Sequence, residues 1–359
     1  MLNVYVIGCG GIGGYLVNHL PMVISSLSLD VLESKIGTDI SEFLENAGNV
    51  ALPCIVDRLT LVDGDVFNPR NALRQGEGAG SKLVKRMRAI HRAVASMEES
   101  AKAAGTALEI CKLVDTLASK DKANLDGLER KLLELTGDWN GFTAEDHARI
   151  TREMLRVSFL RRMDVVGYNK YVNPDNLAEI IPLVPKPNPA NSTAGELFST
   201  VSGILNPARN VAVVFICVDN IQTRYDLFKY MERFDDCLVL NGGNSKTTGH
   251  VTVYERSGGK ELDPPVYEVY PDIRPGVDKR PDELECTAVA PKHDQIAVTN
   301  SIVADVMLSR FVLWARKGLD TETRNGWTRY NDILIDTEKP SLLPVNHPVS
   351  SNNNTNQGE

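Results

Sequence analysis

Gly8, Gly10, Gly11 and Gly13 sit directly behind an apolar run, Met1 to Ile7, in the order Gly8-Cys9-Gly10-Gly11-Ile12-Gly13-Gly14. Glycine at these spacings permits a tight turn out of a strand. It also lets backbone amides at the start of the next helix face the oxygens of a phosphate. The same spacing serves a strand-helix junction that holds no ligand. An acidic side chain at the end of the second strand is the expected partner of ribose hydroxyls, and Asp63 follows the apolar Leu59-Thr60-Leu61-Val62 in that place. It lies far beyond the roughly 20-residue spacing of dinucleotide-binding dehydrogenases. Only an extra helix between the two strands reconciles it with their pattern.

Asp65, Asn71, Arg74, Gln75 and Lys82 come next, and much later Asp219, Asn220 and Arg224. Each has two readings. Arg74 and Asp65 suit an exposed ion pair worth under about 1 kcal/mol as well as a ligand site. Asn71 and Gln75 can pin a loop through backbone bonds or touch a ligand, and Asn220 suits a structural role. The run Lys82, Lys85, Arg86, Arg88 and Arg92 is by default a solvated helix face, with Lys82 its functional member and Lys85 the substitute. Cys286 stands just ahead of a C-terminal helical pattern, with Lys292 and His293 near in sequence. A thiolate at a helix N-terminus among cations has a lowered pKa, so this cysteine is a candidate nucleophile; packing is the alternative. Cys9, Cys217 and Cys237 fall in or beside strands and are expected to be inert, while Cys111 stays open.

The elements that must position these groups alternate between strand and helix. Short apolar runs with little polar alternation predict parallel strands at Leu2 to Ile7, Arg58 to Val62, Asn210 to Val218 and Cys237 to Leu240. Asp219 then lies just beyond a strand's carboxyl end, where ligands bind in open parallel sheets. The spacing predicts a helix at Ile12 to Leu20 that Pro21 ends or bends, and an extra helix within Asp30 to Glu45. Lys82 to Arg162 has a helical composition, and Pro182, Pro185, Pro187 and Pro189 mark an extended connection. Asn241-Gly242-Gly243-Asn244 reads as a turn before a strand at His250 to Tyr254, and Gln295 to Leu313 as a helix on the sheet. The expected fold is a Rossmann-like α/β structure, with a mainly parallel sheet and a large helical insertion. Residues 1–87 form the first part of the nucleotide-binding domain, 88–195 the mostly helical insertion, 196–345 the second part with the C-terminal helix, and 346–359 a disordered tail.

Composition bounds the partners. The 359 residues are 42% hydrophobic and 24% charged, with a formal net charge of -8. That balance disfavours nucleic acid and anionic membrane surfaces. No uninterrupted apolar run approaches the roughly 20 residues of a membrane span, and the N-terminus lacks the flanks of a signal peptide, so a cytoplasmic location is expected. Six cysteines without a CxxC pair suggest neither a disulfide framework nor a four-thiolate zinc site.

The set Asp63, Asp65, Asn71, Arg74, Gln75 and Lys82, followed by Asp219-Asn220 and Arg224, resembles the ThiF/MoeB/HesA family of ubiquitin-activating-enzyme-like adenylyltransferases. Its pattern is a strand ending D-x-D, then N-x-x-R-Q, a downstream lysine, and a later strand ending D-N. The resemblance covers the nucleotide-binding core and leaves about 88 to 195 without a counterpart. It implies ATP and Mg²⁺ as cofactors, with Asp219 working with the metal and Arg74 and Lys82 on the phosphates. It further implies a small ubiquitin-like or sulfur-carrier protein as partner, activated at its C-terminal carboxylate, and a homodimer. Cys286 corresponds to the cysteine that takes the activated partner as a thioester. The bacterial members project an arginine toward the neighbouring subunit's ATP from a helix that precedes the first strand, and no such helix stands ahead of Leu2. Three rival expectations remain: a catalytically weak nucleotide-binding scaffold of this family, an NAD-dependent Rossmann oxidoreductase, and a tRNA-modifying dehydratase of the same superfamily.

Overall fold

The computed structural model describes residues 2–36, 54–67, 80–118, 152, 155–157, 159–161, 163–184, 210–280, 297–316 and 330–349. In chain order the elements are β1 (Leu2–Ile7), α1 (Gly11–Ile36), β2 (Val56–Val62), β3 (Val66–Phe67), β4 (Gly80–Ser81), α2 (Lys82–Ala118) and β5 (Asp164–Tyr168). They continue with α3 (Leu177–Ile180), β6 (Val211–Ile216), α4 (Ile221–Met231), β7 (Cys237–Asn244), β8 (Thr248–Ser257) and β9 (Lys260–Glu261). The last are α5 (Val266–Val269), α6 (Ala297–Arg316), β10 (Asp332–Asp336) and β11 (Ser341–Val345).

β1 and β6 are buried along all six residues, which is why their sequences are unbroken apolar runs. They pair in parallel at the centre of a sheet ordered β11-β10-β8-β7-β6-β1-β2-β5, with β9 beside β8. β5, β2, β1, β6 and β7 are all parallel. β8, β10 and β11 extend the sheet antiparallel. Counted along the chain, the parallel strands stand in the order 3-2-1-4-5, the doubly wound arrangement whose winding reverses between β1 and β6. The expected Rossmann-like, mainly parallel α/β sheet is therefore present. α1, α2 and α6 cover one face over a core that includes Leu16, Leu20, Leu83, Val303 and Met307. α3, α4 and α5 cover the other, through Leu177, Leu227, Phe228 and Val266. Gly11–Ser34 and Ala297–Arg316 are long and apolar enough to cross a bilayer by length and composition, and here both pack as core helices.

Several local expectations are corrected. Pro21 lies inside α1 and does not end it. A proline in a helix interior costs about 3 kcal/mol, but Leu16, Val17, Leu20, Ile24, Leu27 and Val31 are buried on both sides of it. Each such side chain contributes roughly 1.5–3 kcal/mol, so packing outweighs the lost bond. β5 pairs with β2 and falls within the stretch expected to be a helical insertion, and α2 crosses the boundary placed at 87/88. The short, half-buried DVVGY of β5 carries little apolar signal. At the C-terminus, β10 and β11 form a hairpin beyond the C-terminal helix. His347 N donates to Asn331 Oδ1 at 2.9 Å and Asn331 Nδ2 to the His347 carbonyl at 2.8 Å. Described chain thus continues to residue 349, past the expected start of the tail at 346.

Asn241 to Asn244 belongs to β7, and the turn follows it, with Ser245 N bonded to the Thr248 carbonyl at 2.8 Å. These glycines serve packing. A Cβ on Gly242 would stand 2.9 Å from Val303 Cγ1, and one on Gly243 would stand 2.8 Å from His250 Nε2. His250 in turn lies against the Tyr270 ring, with centroids 5.3 Å apart. Burial, reinforced by the Arg224 guanidinium, pulls the His250 pKa from 6.5 down to about 4, with Asp332 acting in the opposite direction. A folded-state pKa below the unfolded one means that acid protonates the unfolded chain first. The stability held at pH 7 is therefore lost as pH falls from about 6.5 toward about 4. In urea unfolding, the wild type is expected to lose about 1–3 kcal/mol more than His250→Gln between those limits. Equal losses in the two proteins would contradict the assignment.

Candidate functional site

The glycine turn is held at the carboxyl end of β1 by bonds that continue the sheet. Gly8 N donates to the Val62 carbonyl at 2.9 Å, and Cys217 N to the Ile7 carbonyl at 2.8 Å. Gly8 has φ +90°, and a Cβ there would stand 2.9 Å from the Cys217 carbonyl. A Cβ on Gly13 would overlap the Gly8 carbonyl oxygen. Both positions therefore need glycine, one for backbone conformation and one for the close approach of α1 to the turn.

A closed circuit of polar contacts fixes the turn. Cys9 N donates to Asp63 Oδ2 at 2.6 Å, and Asp65 N donates to Asp63 Oδ1 at 2.8 Å. Lys82 Nζ donates to Asp65 Oδ2 at 2.5 Å, and Arg86 Nε returns to the Cys9 carbonyl at 3.3 Å. Lys82 and Arg86 stand one turn apart on α2 and are 7% and 4% exposed. Burial pushes the Asp63 carboxyl above its ordinary 3.8, while Lys82 and the two amides pull it back. Asp63 thus sits at the end of β2, as its sequence position implies, with each oxygen already accepting a main-chain amide. Arg86 corrects the reading of its basic run as a solvated face. It turns inward with Lys82, while Lys85, Arg88, His91 and Arg92 border a recess of about 500 Å³ on the outer side.

Two helix N-termini meet the carboxyl edge of the sheet, and they differ. At α4, Asn220 Oδ1 accepts from Thr223 N at 2.8 Å, and Asp278 accepts from Ile221 N at 2.9 Å and from Gln222 N at 2.8 Å. Its amides are satisfied within the chain, and Asn220 is a cap. At α1 the first intrahelical bond runs from Gly14 N to the Gly10 carbonyl at 2.9 Å. That leaves the amides of Gly11, Ile12 and Gly13 with no side-chain acceptor among the described residues. A glycine in the cap position and no acidic residue in the first turn make α1 the terminus open to an anion. Beside it lies Asn300 of α6, 1% exposed, whose Nδ2 has no hydrogen-bond partner among the described residues. Asn300 went unmarked in the sequence, although an amide in the buried stripe with Val303, Ala304, Met307 and Phe311 is a readable signal.

Asp219 is exposed just past β6, at the point where β1 and β6 wind apart. A single carboxylate there suits Mg²⁺ brought in with phosphates, since this ion takes one or two carboxylates and fills its shell from substrate and water. Among the described residues no group of three His, Cys, Asp or Glu side chains could hold a metal unaided. Arg224 is buried and occupied. Its guanidinium bonds the Val218 carbonyl, Asn241 Oδ1 and, at 2.8 Å, the Gly242 carbonyl, tying the ends of β6 and β7 together. Burial pulls its pKa below the ordinary value. The thiols of Cys217 and Cys237 are pushed up to about 12 by burial, and that of Cys9 well above 9.

The fold therefore gathers Gly8, Gly10, Gly11, Gly13, Asp63, Asp65, Lys82 and Asp219 at one edge of the sheet. Asn71, Arg74, Gln75 and Cys286 lie outside the described residues. Near Asp65, Phe67 pairs antiparallel with Gly80 and Val66 with Ser81.

No family model matches the chain, and no curated protein matches it. Solved structures do. E. coli MccB with selenomethionine-labelled MccA covers 97% of this chain and 64% of its own at 12% identity, with a TM-score of 0.41. E. coli MccB with ATP covers 97% and 64% at 12% identity and a TM-score of 0.40. PaaA covers 96% and 64% at 11% identity and a TM-score of 0.39. The chain spans less than two thirds of the length of these proteins.

The circuit makes a stability prediction. Asp63→Asn keeps one acceptor oxygen and turns an amide group against a main-chain N–H. It is expected to lower unfolding free energy by about 1–3 kcal/mol. Urea denaturation at pH 7 checks this, and a loss under about 0.5 kcal/mol would remove Asp63 from its anchoring role.

Proposed function

We propose that this chain is an ATP-dependent adenylyltransferase that activates the C-terminal carboxylate of a small ubiquitin-like or sulfur-carrier protein. One observation carries the reading. The open N-terminus of α1 lies at the doubly wound sheet's reversal point, between the cations Lys82 and Arg86 on one side and the exposed Asp219 carboxylate on the other. Uncapped amides, buried cations and a lone carboxylate suit a metal-bound triphosphate better than a neutral ligand.

In the reaction, a carboxylate oxygen of the partner attacks the α-phosphorus of ATP. The bond from that phosphorus to the α–β bridging oxygen breaks, and pyrophosphate leaves with the electron pair. The carboxylate is ionised at neutral pH, so no base is required. The protein must hold two anions together and stabilise charge on the phosphates, and fixed main-chain amides do this without reorganising. The Asp63 and Arg86 contacts keep the Cys9 peptide, and with it the start of α1, in place. Lys82 adds a point charge from α2. Mg²⁺, when bound, neutralises part of the triphosphate charge, with Asp219 as its protein ligand. The family resemblance adds Arg74 on the phosphates, with Asn71 and Gln75 beside it. It also adds transfer of the acyl group to the Cys286 thiolate with release of AMP, a homodimer, and a cytoplasmic location that matches the need for ATP.

Exchange of labelled pyrophosphate into ATP, dependent on a small protein with a C-terminal glycine, tests the first step. Asp219→Ala is expected to lower that exchange by about 100-fold or more, the scale of losing one electrostatic group. Undiminished exchange would take Asp219 out of the site. Cys286→Ala should leave exchange intact and abolish a thiol-sensitive conjugate with the partner; a conjugate that persists would place the nucleophile elsewhere.

A further inference from the structure

Asn300 belongs to the core-facing stripe of an otherwise apolar helix face. Its oxygen is fixed, because Asn244 Nδ2 at the end of β7 donates to Asn300 Oδ1 at 2.7 Å. That contact turns the NH₂ end toward the start of α1. A Cβ on Gly11 would stand 2.6 Å from Asn300 Nδ2 and 2.9 Å from its Cγ, so the amide occupies the space that a side chain at position 11 would fill. Nδ2 is buried and finds no acceptor among the described residues. The group it faces is a helix N-terminus, which presents only N–H donors.

As it is placed, this donor faces other donors and has no acceptor among the described residues, whereas buried polar groups in folded proteins are almost always paired. The missing partner must carry several acceptor oxygens and favour the positive end of a helix, which describes an oxyanion. We infer that Asn300 is a phosphate ligand of the bound nucleotide, donating from α6 across the N-terminus of α1 from Lys82 and Arg86. This rests on the ATP reading above and deepens it. The phosphates are then held by cations from α2 on one side and by a neutral amide from α6 on the other. Asn244 is the positioning residue that keeps the amide turned toward the ligand.

Asn300→Asp separates this role from a structural one. The new carboxylate keeps the acceptor for Asn244 and the shape of the side chain, and a negative charge beside a helix N-terminus favours the folded state. It also repels phosphate. Calorimetric titration of the full chain with ATP, with adenosine as the probe lacking phosphate, should show ATP affinity about tenfold or more weaker in the variant. Adenosine affinity should stay within about twofold and the ligand-free melting temperature should be equal or higher. ATP affinity equal to that of the wild type overturns the inference, and so does a parallel loss for ATP and adenosine with a lower melting temperature. A wild-type chain that binds neither probe overturns the ATP reading itself and this assignment with it.

Discussion

The backbone of Cys9 is gripped from two directions, and the arrangement of the site depends on that grip. Its N–H meets the buried Asp63 carboxylate and its carbonyl meets the buried Arg86 guanidinium. Asp63 is fixed by the end of β2 and Arg86 by α2, so the turn after β1 cannot drift without disturbing three elements at once. In a water-poor setting these charge-assisted bonds are stronger than their exposed counterparts, and each becomes costly if its partner is lost. The glycines permit the turn, and the acid and the arginine select one conformation of it.

That selection gives the two helix termini at the sheet edge different characters. α4 closes on its own chain through Asn220 and Asp278, and the loop carrying Asp278 is further tied down where Asn220 Nδ2 donates to the Lys279 carbonyl at 2.6 Å. α1 has only Gly10 in the cap position, and its first amides point outward. Arg224, which could have served a ligand, is instead consumed in joining β6 to β7. Among the described residues, the first amides of α1 thus lack a side-chain acceptor, while those of α4 are satisfied.

Much of this was legible in the sequence, for physical reasons that also mark where legibility ends. β1 and β6 are covered on both faces, so burial wrote itself as continuous apolar runs, and Asp219 could be placed at a strand end from that alone, while Asp63 was placed by the shorter Leu59 to Val62 of β2. Asn241 to Asn244 has the composition of a turn, but its glycines make room for α6 and His250, which only tertiary packing reveals. Pro21 does not end α1 for a similar reason, because a helix held by six buried side chains tolerates a break that an isolated one would not. Arg86 was hidden by its neighbours: in a helix start with basic residues at 82, 85, 86, 88 and 92, charge alone does not say which face turns inward. Asn300 was readable as one amide in an apolar stripe. The circuit through Cys9 was not, since it joins residues 54 and 77 positions apart in the chain.

The pairing of β1 with β6 has a consequence for how the chain comes into being. β1 finds one of its two neighbours only after Val211 to Ile216 has been synthesised, and the start of α1 meets Asn300 later still. Contacts so distant along the chain are slow to close. On a ribosome this apolar strand must wait, shielded on one edge at most, until β6 emerges. The nascent chain is most exposed to misassociation in that interval.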